Sequence, residues 1–253
     1  FYIKFAYSLF CKLYQFLTTK LENYFFRFKL PEKELERYGF FKYHNSRLEL
    51  SNIMQSKSKE INQYLSVRIL EDYELNTLIK KIFDSDFREY ITFMTGFKFS
   101  IDYFIFYDRK HIKERYRDVP TLKRPYSYVW HFDKPNSSNM LKIIIPLNIS
   151  KDHGPLKIID KFTSKKNKLF KPVIENDRMA ILLGDCKNLY AFNPALCIHK
   201  DGIPENNLIA SQIMFQLNPW HDWAINSSIY SRTPQFNKKI KVWNEEPKFP
   251  WFA

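Results

Sequence analysis

Residues 131–149 read HFDKPNSSNMLKIIIPLNI and begin with two residues, His131 and Asp133, of types that bind metal ions. Side chains two apart on a strand share a face, so both can bind one ion if this stretch is extended. A third ligand is then needed, and His199 follows another apolar run of strand length, residues 189–198. Two imidazoles and one carboxylate are the ligand set of non-haem iron(II) with positions left open for oxygen. The sequence predicts this site if a barrel or sandwich brings the two strands together.

Each of these residues also has a structural interpretation. Asp133 could cap the turn at residues 134–138, because Asp commonly accepts hydrogen bonds from local backbone amides. A single histidine is more often a hydrogen-bonded structural residue than a ligand. That is our interpretation of the four remaining histidines: His44, His111, His153 and His221.

Three further motifs follow HFD in order: DHGPLKII at 152–159, MAILLGD at 179–185 and CIHKDG at 197–202. Over residues 126–219 this order resembles the phytanoyl-CoA dioxygenase family. The resemblance implies a double-stranded β-helix that uses iron(II), 2-oxoglutarate and O2, usually to hydroxylate a small molecule. It also implies three metal ligands, which would be the catalytic centre: His131, Asp133 and His199.

One position departs from the family pattern. The family places an Arg about eleven residues after the distal His, where its guanidinium binds the far carboxylate of 2-oxoglutarate as a fork. Here that position is Ala210. We expect Lys142 to supply the charge, with Arg124 and Arg178 as weaker candidates and Gln212 adding a neutral hydrogen bond. The alternative is a metal-binding barrel that does not use 2-oxoglutarate, as a pseudoenzyme or with other chemistry.

The retained Asp133 bears on the reaction. Halogenases that resemble this family have a small residue in its place, which frees a coordination position for halide. A carboxylate leaves room for cosubstrate and oxygen only. The sequence therefore favours an iron(II)- and 2-oxoglutarate-dependent hydroxylase over a halogenase.

Length agrees with a single catalytic domain, since 253 residues can bury a full core. We expect a mainly β fold with flanking helices, a double-stranded β-helix of jelly-roll or cupin type. An N-terminal amphipathic and helical region, residues 1–85, would pack on or precede the barrel. The barrel core with a C-terminal wrap would occupy residues 86–253.

Charge and cysteine usage bear on partners and location. A formal net charge of +13 and a pI near 9.4 predict attraction to anions, which favours an anionic substrate such as a glycolipid or nucleotide-linked sugar. A nucleic-acid-binding module is an alternative that the sequence does not favour, because it contains no compact recognition motif. The cysteines are odd in number and widely spaced, which predicts a reducing, cytoplasmic location: Cys11, Cys186 and Cys197.

The first 28 residues have the pattern of a basic amphipathic helix. Its apolar positions recur at helical spacing: Ile3, Tyr7, Phe10, Tyr14, Leu17, Leu21, Tyr24 and Phe28. Charges interrupt it too often for a transmembrane span. We expect it to pack on the barrel, or alternatively to make peripheral membrane contact through residues 1–30.

Local patterns predict the remaining elements. They are, in chain order, a loop or short strand (36–45), a long helix (57–83), a helix (87–95), the first barrel strand (97–107), a charged lid loop (109–124) and the last strand (208–217).

Overall fold

The structure is a computed structural model that describes residues 2–27, 33–50, 56–62, 64–112, 128–133, 137–170 and 179–225. Within these residues the helices are α1 (Tyr2–Phe25), α2 (Lys33–Tyr38), α3 (Asp72–Ile82), α4 (Ser85–Thr95) and α5 (Lys161–Phe170). The strands are β1 (Phe40–His44), β2 (Ser58–Asn62), β3 (Leu65–Arg68), β4 (Lys98–Lys110), β5 (Leu141–Leu147), β6 (Lys157–Ile159), β7 (Met179–Ile181), β8 (Asn188–Phe192), β9 (His199–Lys200), β10 (Ile209–Trp220) and β11 (Ala224–Ile225).

The strands form two sheets. The larger runs β1-β8-β5-β10-β4-β3-β2, with β11 beside β4, and the smaller runs β7-β6-β9. All paired strands are antiparallel except β11 with β4. Side chains from both sheets share one buried apolar cluster, which includes Ile144 of β5, Ile158 of β6 and Phe192 of β8. The mainly β fold with flanking helices that the sequence predicts is confirmed.

A second apolar cluster joins the outer face of the larger sheet to α3 and α4. In α3, Leu75, Leu78, Ile79 and Ile82 recur at helical spacing and are fully buried. The next residue, Phe83, meets Phe215 of β10 edge to face with ring centroids 5.1 Å apart. Helix α4 has standard ends, because Asp84 accepts from the Phe87 N–H at 2.9 Å and Gly96 adopts a left-handed C-cap.

The prediction of one long helix over 57–83 is wrong. Residues 58–68 contain β2 and β3, and β3 pairs with β4 to extend the larger sheet. The helix begins only after Glu71, whose capping box with Glu74 marks the true N-terminus of α3. Residues before 86 therefore contribute strands as well as helices to the barrel.

Most of the other helices and strands predicted from the sequence agree with the structure. The helix at 87–95, the first barrel strand and the last strand are confirmed as α4, β4 and β10, and the short strand at 36–45 is β1. The apolar run 189–198 is not one strand, because β8 ends at Phe192 and a turn at Asn193 precedes β9. Of the expected lid, Arg109 and Lys110 belong to β4, and residues 113–124 lie outside the described residues.

Helix α1 packs on the barrel through polar side chains. The Thr19 hydroxyl lies 2.8 Å from the Ser138 hydroxyl, and Glu22 accepts hydrogen bonds from Ser137 and Asn139. Packing on the barrel, the first of the two roles expected for this helix, is therefore observed. No described helix combines the length and apolar character needed to cross a membrane.

Two buried carboxyls lie on this side of the barrel. Burial raises the pKa of Glu22 to about 7, although Ser137 and Asn139 donate to it. Burial likewise raises the pKa of Asp102 to about 7, against hydrogen bonds from Asn218 and Ser100. Between the ordinary pKa and this raised value, the folded state binds more protons than the unfolded state. Stability therefore falls as the pH rises through this range.

We expect Glu22→Gln to flatten this pH dependence, because glutamine keeps the acceptor oxygen and cannot ionise. Each such carboxyl contributes a slope of up to about 1.4 kcal/mol per pH unit between about pH 4.5 and 7. Urea unfolding at several pH values measures the slope, with the exposed Glu89→Gln of α4 as a control that leaves it unchanged. An equally steep slope in Glu22→Gln would show that Glu22 does not titrate in this range.

Candidate metal centre

Backbone pairing places the two predicted histidine ligands opposite each other. The His131 N–H donates to the His199 carbonyl at 3.1 Å, and the His199 N–H donates to the His131 carbonyl at 3.0 Å. The two ring centroids are 4.3 Å apart. The extended strand expected to carry His131 is reduced to this single bridge within residues 128–133. One antiparallel bridge therefore brings together ligands that are far apart in the sequence.

Hydrogen bonds set the orientation of both imidazoles. Nδ1 of His131 lies 2.7 Å from the Val129 carbonyl, and Nδ1 of His199 lies 3.0 Å from the Cys197 carbonyl. A carbonyl oxygen only accepts, so each Nδ1 carries the hydrogen and each Nε2 has a lone pair. The Nε2 atoms of His131 and His199 lie 3.6 and 3.7 Å from Oδ1 of Asp133. This is the arrangement in which metal-ligating histidines are held.

The local electrostatics keep His199 and Asp133 in the states that metal binding requires. Burial, together with the nearby Lys142 charge, lowers the pKa of His199 to about 3, so this imidazole is neutral. Burial opposes ionisation of Asp133, but Lys142 and the two imidazoles keep its pKa below the usual value. Nε2 of His199 is buried and has no hydrogen-bond partner among the described residues.

These three residues fit a metal ion. Their ligand atoms lie within 4.8 Å of one another, and no other group of three such residues does so in the part of the chain that the structure describes. An unpaired buried acceptor is costly, and coordination would satisfy Nε2 of His199. The donor set of two nitrogens and one oxygen is the set that non-haem iron(II) uses.

Lys142 lies at the metal ligands. Its place in β5, between Gln216 of β10 and Phe192 of β8, turns it toward the inner face of the larger sheet. Its ammonium forms an ion pair with Oδ2 of Asp133, while Oδ1 faces the two imidazoles. The role expected for Lys142 in binding a cosubstrate stays a prediction.

The sequence analysis missed Arg109. Ala210 of β10, where the family pattern has its Arg, pairs directly with Arg109 of β4. The Arg109 side chain is 1% exposed, and its Nη2 donates to Oε1 of Gln212 at 3.3 Å. The sequence did contain a signal for Arg109. Tyr103, Ile105 and Tyr107 alternate along β4 and share one face of the strand, and two more residues of the same alternation place Arg109 on that face.

The Arg109 guanidinium joins two glycine turns. Its Nη1 donates to the carbonyls of Gly154 and Gly202 at 3.0 and 2.6 Å. The backbones of these turns touch: a methyl group on Gly154, whose φ is +60°, would lie 2.6 Å from the Gly202 carbonyl carbon. The glycines of the DHGPLKII and CIHKDG motifs thus allow the backbones of the two turns to touch beside Arg109, because neither has a side chain.

Asp201 is a buried acidic residue next to Arg109. Its Oδ1 lies 3.6 Å from Nη2 of Arg109, and neither this oxygen nor Nε of Arg109 has a hydrogen-bond partner among the described residues. Burial raises the pKa of Asp201, while Arg109 and Lys142 act against that increase. Two cations, Lys142 and Arg109, and one further carboxyl, Asp201, therefore line the barrel interior beside the triad.

The remaining residues singled out in the sequence are not part of the triad. Gln212 donates to the Tyr107 hydroxyl as well as accepting from Arg109. Arg124 and Arg178 lie outside the described residues. His111 lies against the Pro204 carbonyl at 2.7 Å, in agreement with a structural role. Cys186 and Cys197 form no disulfide among the described residues.

Comparison with known proteins identifies the fold. No protein-family model and no curated protein matches this sequence. The crystal structure of an oxidoreductase of the 2OG-Fe(II) oxygenase family from Burkholderia pseudomallei is similar, with a TM-score of 0.50 and 10% identity over 76% of this chain and 89% of that chain. HygX from Streptomyces hygroscopicus, solved with nickel and 2-oxoglutarate bound, gives 0.49 and 9% over 74% and 85%.

A third solved structure, the epimerase SnoN from nogalamycin biosynthesis, gives 0.49 and 10% identity over 74% of this chain and 79% of that chain. At such low identity the likeness to the first structure is evidence of fold alone. Together with the two antiparallel sheets, it confirms the predicted double-stranded β-helix.

We expect Asp133→Ala to weaken metal binding by at least about 100-fold, because it removes the only carboxylate of the triad. Calorimetric titration with iron(II) under nitrogen measures this affinity. The exposed Asp152→Ala serves as the control and should bind as the unaltered chain does. Equal affinity in Asp133→Ala would remove Asp133 from the site.

Gly154→Ala should lower the free energy of unfolding by about 2–4 kcal/mol, since alanine combines a left-handed φ with a backbone clash against Gly202. Gly96→Ala is the comparison, because Gly96 has a φ of +78° in a helix C-cap and lies away from the contact between Gly154 and Gly202. This variant has only the cost of the left-handed φ, so it should lower the free energy of unfolding by less. Chemical denaturation compares the two. Equal losses would mean that the glycine contact adds nothing to the φ effect.

Proposed function

We propose that this chain is a non-haem iron(II) oxygenase that uses 2-oxoglutarate and O2 to hydroxylate a small, anionic molecule. The observation that carries the proposal is the convergence of two Nε2 lone pairs and one carboxylate oxygen inside a double-stranded β-helix. When bound, iron(II) with a 2-oxo acid supplies the chemistry that activates oxygen for attack on a C–H bond. The resemblance to the phytanoyl-CoA dioxygenase family supports the same reading.

The chain's residues would hold and orient the reacting groups. His131, His199 and Asp133 would hold the metal on one side and leave its other positions open. The Val129 and Cys197 carbonyls fix both imidazoles, so the ligand lone pairs need no rearrangement before metal binding. Because Asp133 occupies the carboxylate position, hydroxylation is favoured over halide transfer.

Arg109 is our candidate for the distal carboxylate of 2-oxoglutarate. It faces the inside of the barrel directly across from Ala210, so the neighbouring strand supplies the cation that the last strand lacks. Its Nη1 donates to two carbonyls and the guanidinium also hydrogen-bonds Tyr128, while Nε has no partner among the described residues and the Nη2 bond to Gln212 is long. The edge formed by Nε and Nη2 is therefore the part of the guanidinium that we assign to the carboxylate, as a fork.

Charge balance supports a doubly charged cosubstrate. With both carboxyls ionised, Asp133 and Asp201 offset Lys142 and Arg109 in the buried interior. A divalent metal would add two positive charges, and unbalanced buried charge is costly. A 2-oxo diacid restores the balance, whereas a monocarboxylic 2-oxo acid leaves one charge uncompensated.

The second candidate is a metal-binding barrel that does not use 2-oxoglutarate. One observation favours it: Asp201 lies 3.6 Å from Arg109 and already partners the guanidinium that the cosubstrate would need. In this case Asp201 replaces the distal carboxylate permanently. The chain would bind iron(II) but not the diacid.

A single titration separates these candidates. The protein is loaded with iron(II) under nitrogen, 2-oxoglutarate is added, and the visible metal-to-ligand charge-transfer band is followed. The proposed function predicts a saturable band that is absent in Asp133→Ala. Bound iron with no band at any 2-oxoglutarate concentration would reject the proposal in favour of the second candidate.

Arg109 and Lys142 are distinguished in the same titration. Arg109→Gln should raise the dissociation constant for 2-oxoglutarate at least about 30-fold, equivalent to about 2 kcal/mol for one charged hydrogen-bonded pair, and leave iron binding intact. Lys142→Met should change it less. The reverse order would assign the carboxylate to Lys142.

A rescue variant controls for loss of structure. Ala210→Arg placed in the Arg109→Ala background moves the guanidinium to the opposing position of the same strand pair. It should recover part of the affinity that Arg109→Ala loses. Circular dichroism checks that each variant is folded.

A further inference from the structure

Helix α1 packs on the barrel with the polar side of an amphipathic helix. Thr19 and Glu22 make its hydrogen bonds to the barrel, and the backbone N–H of Ser138 also donates to Thr19 Oγ1 at 3.0 Å. Glu22 is 7% exposed although it is a carboxyl residue. A surface helix ordinarily turns its apolar stripe to the core and its polar face to water. Here the polar face is the buried one.

The apolar face of α1 is directed away from the barrel. Its side chains recur at helical spacing and are between 42 and 81% exposed, forming what we call the α1 stripe: Phe10, Leu13, Leu17, Leu21 and Tyr24. Phe16 and Phe25 extend the stripe and are also more than half exposed. Contiguous exposed apolar surface of this kind marks an interaction site.

The charges beside the stripe indicate what it binds. Lys12 and Lys20 are exposed on α1, and the Lys20 ammonium lies 5.6 Å from the Phe16 ring centroid. The one carboxylate among the described side chains of α1, Glu22, is buried against the barrel. The chain as a whole has a net charge of +13. A second copy would bring like charges together, whereas anionic phospholipid would complement them.

We propose that α1 docks the protein on an anionic phospholipid surface, with the α1 stripe buried among the lipid chains and the lysines at the headgroups. A helix of 24 residues is about 36 Å long, so it can lie along the surface over its whole length. Aromatic residues are suited to this boundary because they combine an apolar ring with a polar edge or hydroxyl. This inference is independent of the reaction proposed above.

The test is flotation of the full chain with vesicles of phosphatidylcholine alone or of phosphatidylcholine with phosphatidylserine. We expect binding only when phosphatidylserine is present. The double variant Leu13→Gln/Leu17→Gln should lower the partition coefficient at least about tenfold, because two buried apolar side chains are lost. Lys12→Gln/Lys20→Gln should weaken binding and make it less sensitive to salt.

Phe162→Gln is the matched control. Phe162 is a half-exposed aromatic residue of α5 with a lysine, Lys166, 4.6 Å from its ring centroid, so it offers the same chemistry outside α1. It should bind vesicles as the unaltered chain does. Sedimentation velocity without lipid is run in parallel on all variants.

Three outcomes would overturn the proposal. The first is an absence of vesicle binding by the folded chain, and the second is equal binding by Leu13→Gln/Leu17→Gln. The third is dimerisation that this double variant abolishes, which would assign the α1 stripe to a second copy of the chain. Circular dichroism of each variant shows whether it is folded, and iron(II) binding is measured separately, so failure here is distinguishable from failure of the metal site.

Discussion

The candidate site depends on two backbone hydrogen bonds between His131 and His199. They join the segment that carries Asp133 to the edge of the smaller sheet, and they do so at the ligand residues themselves. Side chains of directly opposed residues lie on the same face of an antiparallel pair. Placement of the two candidate histidine ligands is therefore a property of strand pairing.

Arg109 connects several segments of the chain inside the barrel. One guanidinium contacts the turn at Gly154, the turn at Asp201 and Gly202, and the amide of Gln212. Arg109 lies directly across from Ala210 in the strand pair, and paired residues project from the same face. The Arg109 side chain therefore enters the same part of the barrel interior that a long side chain at position 210 would enter.

The sequence was informative where chemistry or local periodicity decides the outcome. The triad, the last strand and α4 could be predicted because ligand types, alternation and helical patterns are visible in single segments. Arg109 was missed because its function depends on which strand pairs with β4, which no local pattern contains. The hairpin of β2 and β3 was misassigned for the same reason, since β3 is stabilised by pairing with β4 and β2 by pairing with β3, and not by their own composition.

The short segment at residues 137–139 has two neighbours of different kinds. It lies between Asp133 and Lys142 in the chain, and its residues Ser137, Ser138 and Asn139 form hydrogen bonds with Thr19 and Glu22 of α1. Asn193, in the turn beside the Asp133 backbone contact, donates to the Ser138 carbonyl at 2.5 Å. Among the described residues, a short series of hydrogen bonds therefore connects α1, through residues 137–139 and the turn at Asn193, to the backbone of the candidate ligand Asp133. A displacement of this helix would be transmitted to the segment that positions Asp133.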